Sequence, residues 1–581
     1  MMKVFFITMT ISLLLLTMAV SAQVPDTDWY NTTSANFTIS NADQLAGLAQ
    51  LVNNGNNFSG KNITLDDDID LSSYNNWLPI GNYHSDSDRE ITNPFSGTFN
   101  GGGYTISKLI INRSQADYQG LFGIIVRGKV ENLGLDSVNI NGGNFVGSVA
   151  GVVCSSSSVV NSYSTGSVIG GHSVGGIAGV VFNNSSVTSS YSTGTIGGIR
   201  SSVVGGVAGF VSDSSTVTSS YSTGDIGGDS SHTIGGVVGI VSKNSNVIGS
   251  YSTGTVSGIG STVGGVAGDV SNNSSVVNSY STGTVSGLLS SVGGVAGSVN
   301  NNSNVTNSYS AGAINGRSYV GGVAGSVVYF SNINNSYSTG TVSGSWCVGG
   351  IAGAVSHSLV TYCYSTGSVS GESDVGGIAG IVANGNVFNC AALNLEVKGD
   401  SLVGRVAGRT ISAAIGEYPL GNNVAYIGMK NSNGDSAWDN IDGYDLNGAN
   451  ITINEINADE TIGGRFTANN GWFVENGNLP GLLGKSTPMP VHLTGASFIK
   501  PSFIRPKTVS AHYIKIKNRT FHLRLSERSN VYIYSLNGAK LRSYDLIGGD
   551  HTISAGNLPT GIYIVKVTGG SRKQSLRIVV K

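Results

Sequence analysis

The sequence predicts an all-β protein whose main body is a right-handed parallel β-helix solenoid, with a short N-terminal capping helix and a small C-terminal Ig-like β-sandwich. Three observations support the β-helix. The hexapeptide Val-Gly-Gly-Val-Ala-Gly and its variants recur over residues 145–410 every 27–30 residues, and such a period indicates a solenoid. Each period contains short Val- and Ile-rich runs between Gly, Asn and Ser clusters, which is typical of several short strands per coil. Because each of the 85 glycines would cost about 1 kcal/mol inside a helix, helical repeats are excluded.

Equal positions of successive coils form columns when the coils are stacked. A β-branched column, which suits a half-buried strand, contains Val159, Val187, Val217, Val247, Val276, Val305, Ile333, Val360 and Val387. A column of small residues, which suggests a tight inward corner, contains Ser162, Ser190, Ser220, Ser250, Ser279, Ser308, Ser336, Cys363 and Cys390. An aromatic column contains Tyr163, Tyr191, Tyr221, Tyr251, Tyr280, Tyr309, Tyr337 and Tyr364. A fourth column, a candidate amide ladder, contains Asn161, Asn278, Asn307, Asn335 and Asn389.

The length of the coil favours one kind of solenoid. About 28 residues is long for the left-handed hexapeptide form, so the right-handed β-helix fits better. The paired glycines of each coil are expected to give the backbone freedom at a bend.

Residues 1–22 have the pattern of a secretory signal peptide. Lys3 supplies the positive charge, an apolar run follows, and Ala22 precedes the expected cleavage before Gln23. A retained membrane anchor is the alternative, but the run is short for a span, and the sequence predicts no other transmembrane segment.

Residues 23–144 are expected to form an N-terminal cap and the first irregular coils. Ser40 and Asn41 can cap a helix over residues 42–52, whose apolar side chains share one face. The open end of a β-helix exposes unpaired backbone, so a covering element is expected there. The motifs that follow are Asp-Ile-Asp-Leu, Trp-Leu-Pro-Ile-Gly, Phe-Ser-Gly-Thr-Phe-Asn-Gly and Gly-Leu-Phe-Gly.

This series of motifs, followed by the Val-Gly-Gly-Val-Ala-Gly coils, resembles proteins with the GLUG motif from about Asn41 to Gly484. The resemblance implies an exported bacterial surface protein of a kind found among adhesin-like chains and beside some immunoglobulin A peptidases. It implies architecture and exposure, and it supplies no shared catalytic residue. Residues 411–484 resemble the closing cap that such chains place after the last coil.

The remaining chain divides into a linker and a second domain. Residues 485–512 are rich in Pro and indicate a linker. About seven short alternating runs in residues 513–581, with a hairpin signal at Asn537-Gly538, predict a β-sandwich. The runs at 531–541, 558–563 and 575–581 resemble the C-terminal sorting domain of the type IX secretion system of Bacteroidetes. This resemblance implies export by that machinery across the outer membrane, removal of the domain and a route to attachment on surface lipopolysaccharide.

Charge is scarce and unevenly distributed. Charged residues make up 11% of the chain and its net charge is −2, yet residues 515–581 contain 12 Lys or Arg against 3 Asp or Glu. The rest of the chain is therefore acidic, and its general field will not attract nucleic acid.

Few residues in the chain could carry chemistry. Cys363 and Cys390 lie one coil apart in a column, about 4.8 Å, which leaves open a disulfide or two buried thiols. No Cys-x-x-Cys or His pair supports a metal or cofactor site. The Asp cluster at residues 66–70 could bind Ca²⁺ through oxygen ligands, but it also fits a strand motif. No His-Glu-x-x-His motif is present, so the zinc peptidase chemistry of that motif is not expected.

The Tyr column is the candidate binding site, with Tyr191, Tyr221, Tyr251, Tyr280 and Tyr309 as the proposed ladder. An exposed ladder would stack on sugar faces or on a partner surface, and the alternative is a packed structural stack. We expect a secreted or surface-anchored, non-catalytic, adhesin-like binding or structural protein, with a glycan or a host or matrix protein as partner. The rival is a carbohydrate-active β-helix enzyme, a lyase or glycosidase, which needs paired carboxylates in a groove; a passive spacer is a third hypothesis.

Overall fold

The structure is a computed structural model that describes residues 24–82, 93–198, 203–228, 232–260, 262–289, 291–412 and 418–494, and the strands between residues 513 and 580. The predicted signal peptide, its cleavage site at Ala22 and Gln23, and most of the predicted linker lie outside the described residues. The chain forms two compact units, residues 1–496 and 497–581.

The first unit is a parallel β-solenoid of about 14 turns, which confirms the predicted fold class. Its hand of winding stays a prediction. Along one coil the chain passes through four sets of parallel strands, which we name the Gly, Ala, Val and Tyr sheets.

The Gly sheet has ten strands: Val146–Gly147, Ser173–Gly175, Val203–Gly205, Thr233–Gly235, Thr262–Gly264, Val292–Gly293, Ser318–Gly321, Trp346–Gly349, Ser373–Gly376 and Ser401–Gly404. The Ala sheet has eleven: Phe122–Val126, Ala150–Cys154, Ala178–Phe182, Ala208–Ser212, Val238–Val241, Ala267–Val270, Ala296–Val299, Ala324–Val328, Ala352–Ser356, Ala379–Ala383 and Ala407–Ile411. The Val sheet has fourteen: Asn36–Ile39, Asn62–Leu65, Thr98–Asn100, Lys129–Glu131, Ser158–Val160, Ser186–Thr188, Thr216–Thr218, Asn246–Ile248, Ser275–Val277, Asn304–Thr306, Asn332–Asn334, Leu359–Thr361, Asn386–Phe388 and Leu420–Gly421.

The Tyr sheet holds the short strands that complete each coil: Ile69–Asp70, Thr105–Ser107, Ile110–Arg113, Gly134–Gly142, Tyr163–Gly170, Tyr191–Ser192, Thr195–Gly198, Tyr221–Ser222, Ile226–Gly228, Tyr251–Ser252, Val256–Gly258, Tyr280–Ser281, Val285–Gly287, Tyr309–Ser310, Ile314–Asn315, Tyr337–Ser338, Val342–Ser343, Tyr364–Ser365, Val369–Ser370, Ala391–Ala392, Val397–Lys398, Val424–Tyr426 and Ala449–Ile451.

The Val column of the sequence is the inward side of the Val sheet. Val187 pairs in parallel register with Val159 before it and Val217 after it, and all three are 0% exposed. Burial of each such side chain contributes roughly 1.5–3 kcal/mol, so the repeated column is a main source of the rod's stability.

The paired glycines are required by lack of space rather than by backbone freedom, which corrects the expectation of a flexible bend. Neither Gly205 nor Gly206 has a positive φ. A Cβ on Gly205 would lie 2.0 Å from Ala208 O, and one on Gly206 would lie 2.3 Å from Gly236 O. Backbone atoms of the same coil and of the next coil therefore approach this glycine pair so closely that a Cβ would clash at either position.

The predicted capping helix is present over Ala42–Asn53, between the first two strands of the Val sheet. It begins after Asn41, whose side chain accepts a hydrogen bond from Gln44 N. Leu45, Leu48 and Val52 are buried in the same core as the first coils. The helix therefore covers the core at the start of the rod.

The C-terminal cap extends further than the sequence predicted. It contains a helix at Ile453–Ala458, 3-10 turns at Ala468–Asn470 and Val491–Leu493, and an antiparallel pair of Asn478–Leu479 with Thr487–Pro488. Leu493 is fully buried in the cap's own core, so the linker predicted from residue 485 starts too early. Its prolines misled the prediction because Pro488 ends a short strand and Pro490 precedes a 3-10 turn, where proline is tolerated.

Arg405 attaches this cap to the last coil. It stands where eight of the other nine repeat coils have the second glycine, the exception being Ser148, and it is 1% exposed. Its guanidinium donates to Asn447 O (2.9 Å), Gly448 O (2.9 Å) and Asn450 Oδ1 (2.8 Å). Because these acceptors are neutral, burial lowers the pKa of Arg405 to about 10.

The second unit contains seven strands in two antiparallel sheets. Tyr513–Lys517, Thr520–Leu525 and Gly549–Ser554 form the first sheet, and the second contains Ser529–Ser535, Lys540–Leu546, Gly561–Gly569 and Arg572–Val580. The number of strands is as predicted, and the Ig-like arrangement of the two sheets stays a prediction.

Candidate functional site

In each repeat coil, the turn between the Val sheet and the Tyr sheet contains a residue in the left-handed backbone conformation. Residues with φ of 47–59° at this turn are Asn161, Ser189, Ser219, Gly249, Asn278, Asn307, Asn335, Tyr362 and Asn389. Asn tolerates this backbone conformation better than most residues, which explains the partly Asn column. The amide ladder predicted there is present in part, because Asn161 Nδ2 donates to Asn132 Oδ1 (2.7 Å).

The serine that follows the turn fixes the start of the Tyr sheet. Ser190 Oγ donates to Thr188 O (2.9 Å) and accepts from the backbone N–H of Ser162 (3.1 Å), one coil earlier. The same pattern recurs along the column and satisfies a buried backbone donor in each coil. The next residue is the tyrosine, whose ring is thereby held in the same place in every coil.

The eight tyrosines form one continuous stack, Tyr163 to Tyr364, which we call the Tyr stack. Its centroids are 4.7–5.3 Å apart and neighbouring rings are within 10° of parallel. Seven steps of about 4.8 Å give a length of roughly 34 Å. The structure thus brings the five predicted ladder residues together in one column.

The stacking of the rings limits which of their atoms a partner could contact. Each inner ring has a tyrosine on both faces, so the faces that would stack on sugars are already occupied. What remains accessible is a row of ring edges and phenol hydroxyl groups. Sugar stacking on the ring faces of inner rungs is therefore not supported by this arrangement.

The stack has an open part and a covered part. Tyr191, Tyr221, Tyr251, Tyr280 and Tyr309 are half-buried and are called the open rungs, whereas Tyr337 and Tyr364 are buried and are called the covered rungs. The C-terminal cap produces the difference.

The contacts of the cap with the covered rungs are direct. Tyr364 Oη donates to Pro480 O (2.6 Å) and lies 3.0 Å from Thr487 Oγ1. Its ring contacts Phe466 edge-on at 5.4 Å and Trp472 at 5.6 Å. The same surface therefore already docks one polypeptide segment, which belongs to this chain.

Burial raises the pKa of the phenols from Tyr191 to Tyr364. The pKa values of Tyr191, Tyr221 and Tyr251 are raised first by loss of hydration and then by neighbouring phenols. In the covered part, burial raises the pKa of Tyr337 to about 12 and that of Tyr364 well above its ordinary value. The row is therefore neutral at physiological pH and can donate and accept hydrogen bonds.

Cys363 and Cys390 are free thiols in the structure, not a disulfide. They replace serine at the end of the Ser column, and Cys390 Sγ also lies 3.8 Å from Val360 O of the preceding coil. Cys363 Sγ donates to Thr361 O (3.2 Å) and Cys390 Sγ to Phe388 O (3.3 Å). Burial and the neighbouring Cys390 raise the pKa of Cys363, which makes it an unreactive thiol.

The carboxylates considered from the sequence serve local contacts. Asp70 pairs with Lys108 (2.6 Å), which lowers its pKa to about 2, and Asp68 Oδ1 accepts from Thr105 N. In the coils, Asp213 pairs with Lys243 and Asp374 with Arg409. Across the part of the chain that the structure describes, no group of three His, Cys, Asp or Glu residues could hold a metal ion.

A shallow groove of about 700 Å³ lies where the Tyr sheet meets the Gly sheet. Its described lining is Gly228, Ser257, Gly258, Ile259, Ser286, Gly287, Leu288, Asn315, Gly316, Arg317 and Ser345. This described lining contains no carboxylate, and the Arg317 guanidinium covers the Trp346 ring at 5.2 Å. The groove lacks the paired acids that glycoside hydrolysis requires.

Sequence reasoning missed two features that interrupt the repeat. Tyr329 and Phe330 replace the Asn-Asn type of turn before the Val sheet, and Arg405 replaces a glycine. In the sequence, both appear as residues that differ from those at the same position of the other coils, and this difference is the signal that could have found them.

Comparison with known proteins identifies two parts of the chain. Residues 515–581 match the secretion system C-terminal sorting domain, and residues 316–343 and 344–370 each match the GLUG motif. Both predicted resemblances are confirmed. No helix among the described residues has the length and apolarity needed to cross a membrane.

Longer relatives share segments with this chain. Halomucin of Haloquadratum walsbyi is 38% identical over 135 residues, 22% of this chain and 1% of that protein. A "Putative Gly-rich membrane protein" of Evansella cellulosilytica is 38% identical over 91 residues, 14% of this chain and 10% of that protein. The chain thus spans about a hundredth and a tenth of the lengths of these relatives.

One solved structure is similar at low identity. The "putative immunoglobulin A1 protease from Bacteroides ovatus" is 15% identical with a TM-score of 0.26, covering 80% of this chain and 96% of that one.

The sorting domain makes this chain a secreted or outer-membrane surface-attached protein that the type IX secretion machinery handles.

Proposed function

We propose that the chain is an adhesin-like, non-catalytic binding protein whose contact surface is the row of open rungs. The observation that carries this proposal is the contrast within the Tyr stack. The two covered rungs dock the protein's own cap, while the five open rungs, which stack with the same geometry, stay half-buried.

The chemistry of this row favours a partner that offers hydrogen bonds at regular spacing. Ring centroids repeat every 4.7–4.9 Å along the open rungs with nearly parallel planes, close to the spacing of strands in a sheet, so the phenol hydroxyl groups form a row of similar spacing. Each neutral hydroxyl can donate and accept one or more hydrogen bonds. An extended glycan or a polypeptide of a host or matrix protein meets this requirement.

The enzyme hypothesis receives less support. Several coil carboxylates are held by local partners: Asp213 by Lys243, Asp269 by Asn300 Nδ2 (2.7 Å) and Glu372 by Ser345 Oγ (2.9 Å). The described lining of the groove between the Tyr and Gly sheets has no acid. A retaining or inverting glycosidase needs two carboxyl groups about 5–10 Å apart.

The test is an array of glycans and matrix proteins probed with the full chain and a triple variant, Tyr221→Phe with Tyr251→Phe and Tyr280→Phe. These substitutions keep the rings stacked and remove three hydroxyl groups. We expect binding to fall roughly 10-fold or more, since each lost neutral hydrogen bond costs about 0.5–1.5 kcal/mol.

Tyr337→Phe is the matched control, because it makes the same change in the same column under the cap. It should leave binding unchanged. Equal binding by the triple variant would exclude the open rungs, and release of shortened sugars from the array would favour an enzyme instead.

A further inference from the structure

The turn that precedes the Val sheet has a repeated left-handed geometry. Two consecutive residues with φ of 53–67° form it in successive coils: Ser155-Ser156, Asn183-Asn184, Asp213-Ser214, Lys243-Asn244, Asn272-Asn273, Asn301-Asn302 and Tyr329-Phe330. Asn and Asp adopt this conformation with less strain than other side chains. Six of these seven turns are built from Ser, Asn, Asp and one Lys, and all but the lysine are the short polar residues that the geometry favours.

Tyr329 and Phe330 are the exception. Both are bulky aromatic residues in the left-handed region, with φ of 53° and 63°, which is a strained choice for such side chains. Both project into solvent, 60% and 74% exposed. The strain is not offset by burial, so core packing does not explain these residues.

Their neighbours on the preceding coil form an uncharged amide surface, and on the following coil the Phe330 N–H donates to His357 O (2.8 Å). The Asn302 N–H donates to Tyr329 O (2.9 Å), which stacks the aromatic turn directly on Asn301 and Asn302. Asn302 Nδ2 donates to Asn273 Oδ1 (2.6 Å), and Asn301 Nδ2 donates to Asn272 Oδ1 (3.3 Å). Each amide keeps further donor or acceptor capacity that faces solvent.

A groove of about 460 Å³ continues along the same corner. Its lining includes Asn183, Asn184, Asn244, Asn272 and Asn273. The charged groups in that lining, Lys243 and Asp213, form an ion pair at 3.3 Å and neutralise each other. The corner therefore offers a neutral, amide-rich groove that leads through Asn301 and Asn302 toward two exposed aromatic rings.

We propose that this corner, from the Asn183 turn to Tyr329 and Phe330, binds neutral saccharides. Exposed aromatic rings pack against the apolar faces of sugar rings, and side-chain amides hydrogen-bond to hydroxyl groups. The absence of net charge in this described lining selects neutral over acidic sugars. This is a second site, on a different corner from the open rungs, and it rests on the proposed binding function.

The test is affinity electrophoresis of the full chain in gels that contain soluble neutral polysaccharides (glucan, mannan, arabinoxylan) or acidic ones (hyaluronan, heparin). The variant is Tyr329→Asn with Phe330→Asn, which restores the turn used by neighbouring coils and relieves strain. We expect retention by at least one neutral polysaccharide, a loss of that retention of roughly 10-fold in the variant, and an unchanged or higher melting temperature.

Leu288→Asn with Leu289→Asn is the matched control, since it removes two exposed apolar side chains, 66% and 53% exposed, from another face. It should leave retention unchanged. No retention by any neutral polysaccharide, or equal retention by the Tyr329 and Phe330 variant, overturns the inference. If retention instead falls only when the open rungs lose their hydroxyls, the saccharide site fails while the proposed function stands.

Discussion

Tyr251 and Tyr364 occupy the same position of the repeat, four coils apart, and stack on their neighbours in nearly the same way. The ring of Tyr251 is 4.8 Å from that of Tyr280, and the ring of Tyr364 is 5.0 Å from that of Tyr337. Tyr251 is half-buried, whereas Tyr364 is fully buried and hydrogen-bonded to the cap. The repeat determines how the rings stack, and the cap determines which of them are fully buried.

The comparison separates two roles for one residue type. Under the cap, a tyrosine is part of a hydrophobic core with Phe466 and Trp472. In the open part, the same tyrosine is half-buried and stacks between two other tyrosines. Changes that act on the two parts unequally will test this division.

Alkaline pH should have the largest effect, because it acts on the whole stack at once. Unfolded tyrosines ionise near pH 10, while burial raises the pKa of Tyr337 to about 12 and that of Tyr364 well above its ordinary value. The neutral phenol is thus favoured in the fold, so its stabilisation is complete below pH ~10 and is lost as pH rises toward and beyond ~12. Denaturant midpoints and tyrosinate absorbance, measured against pH, check this.

The variant Tyr337→Phe with Tyr364→Phe should reduce that alkaline loss of stability, whereas Tyr221→Phe should change it less. A fall in midpoint that begins well below pH 10 would contradict the assignment to tyrosine.

Tyr364→Ala should cost about 3–5 kcal/mol of unfolding free energy, as for other buried aromatic residues replaced by alanine. It leaves a cavity between Phe466 and Trp472 and removes the hydrogen bond to Pro480 O. Guanidinium unfolding followed by tryptophan fluorescence measures the cost, since Trp472 reports on the cap. A cost no larger than that of the open-rung change below would show that the cap does not depend on this ring.

Tyr251→Ala should cost less, about 1–3 kcal/mol, because it removes two stacking contacts worth about 0.5–1.5 kcal/mol each and leaves the site open to water. Tyr251→Phe keeps both contacts and should change stability by less than about 0.5 kcal/mol. Calorimetry of the two variants checks the difference. If Tyr251→Phe proves as costly as Tyr251→Ala, the hydroxyl rather than the ring holds the open part together.

Several features of the fold could be predicted from residues alone. The helix after Asn41, the inward Val column and the stacking of the tyrosines each follow from a local pattern or from identity one period apart. The expected role of the glycine pairs, backbone freedom at a bend, was wrong, since periodicity does not reveal how closely two backbone segments approach. The linker boundary at residue 485 failed because proline is equally compatible with linkers and with the ends of short ordered elements.

The sequence by itself determined the period, the parallel register and the export tail, because each coil contacts mainly its neighbours and equal residues come into line. Only the tertiary structure decided where the Tyr stack ends as a surface. The hydrogen bonds from Tyr364 to Pro480 and from Asn335 to Asn470 join residues 116 and 135 positions apart. Contacts at such separations have no period, so no repeat in the sequence could predict them. Together with the ring contacts of the cap, they divide one column into a buried core and a half-buried row of ring edges.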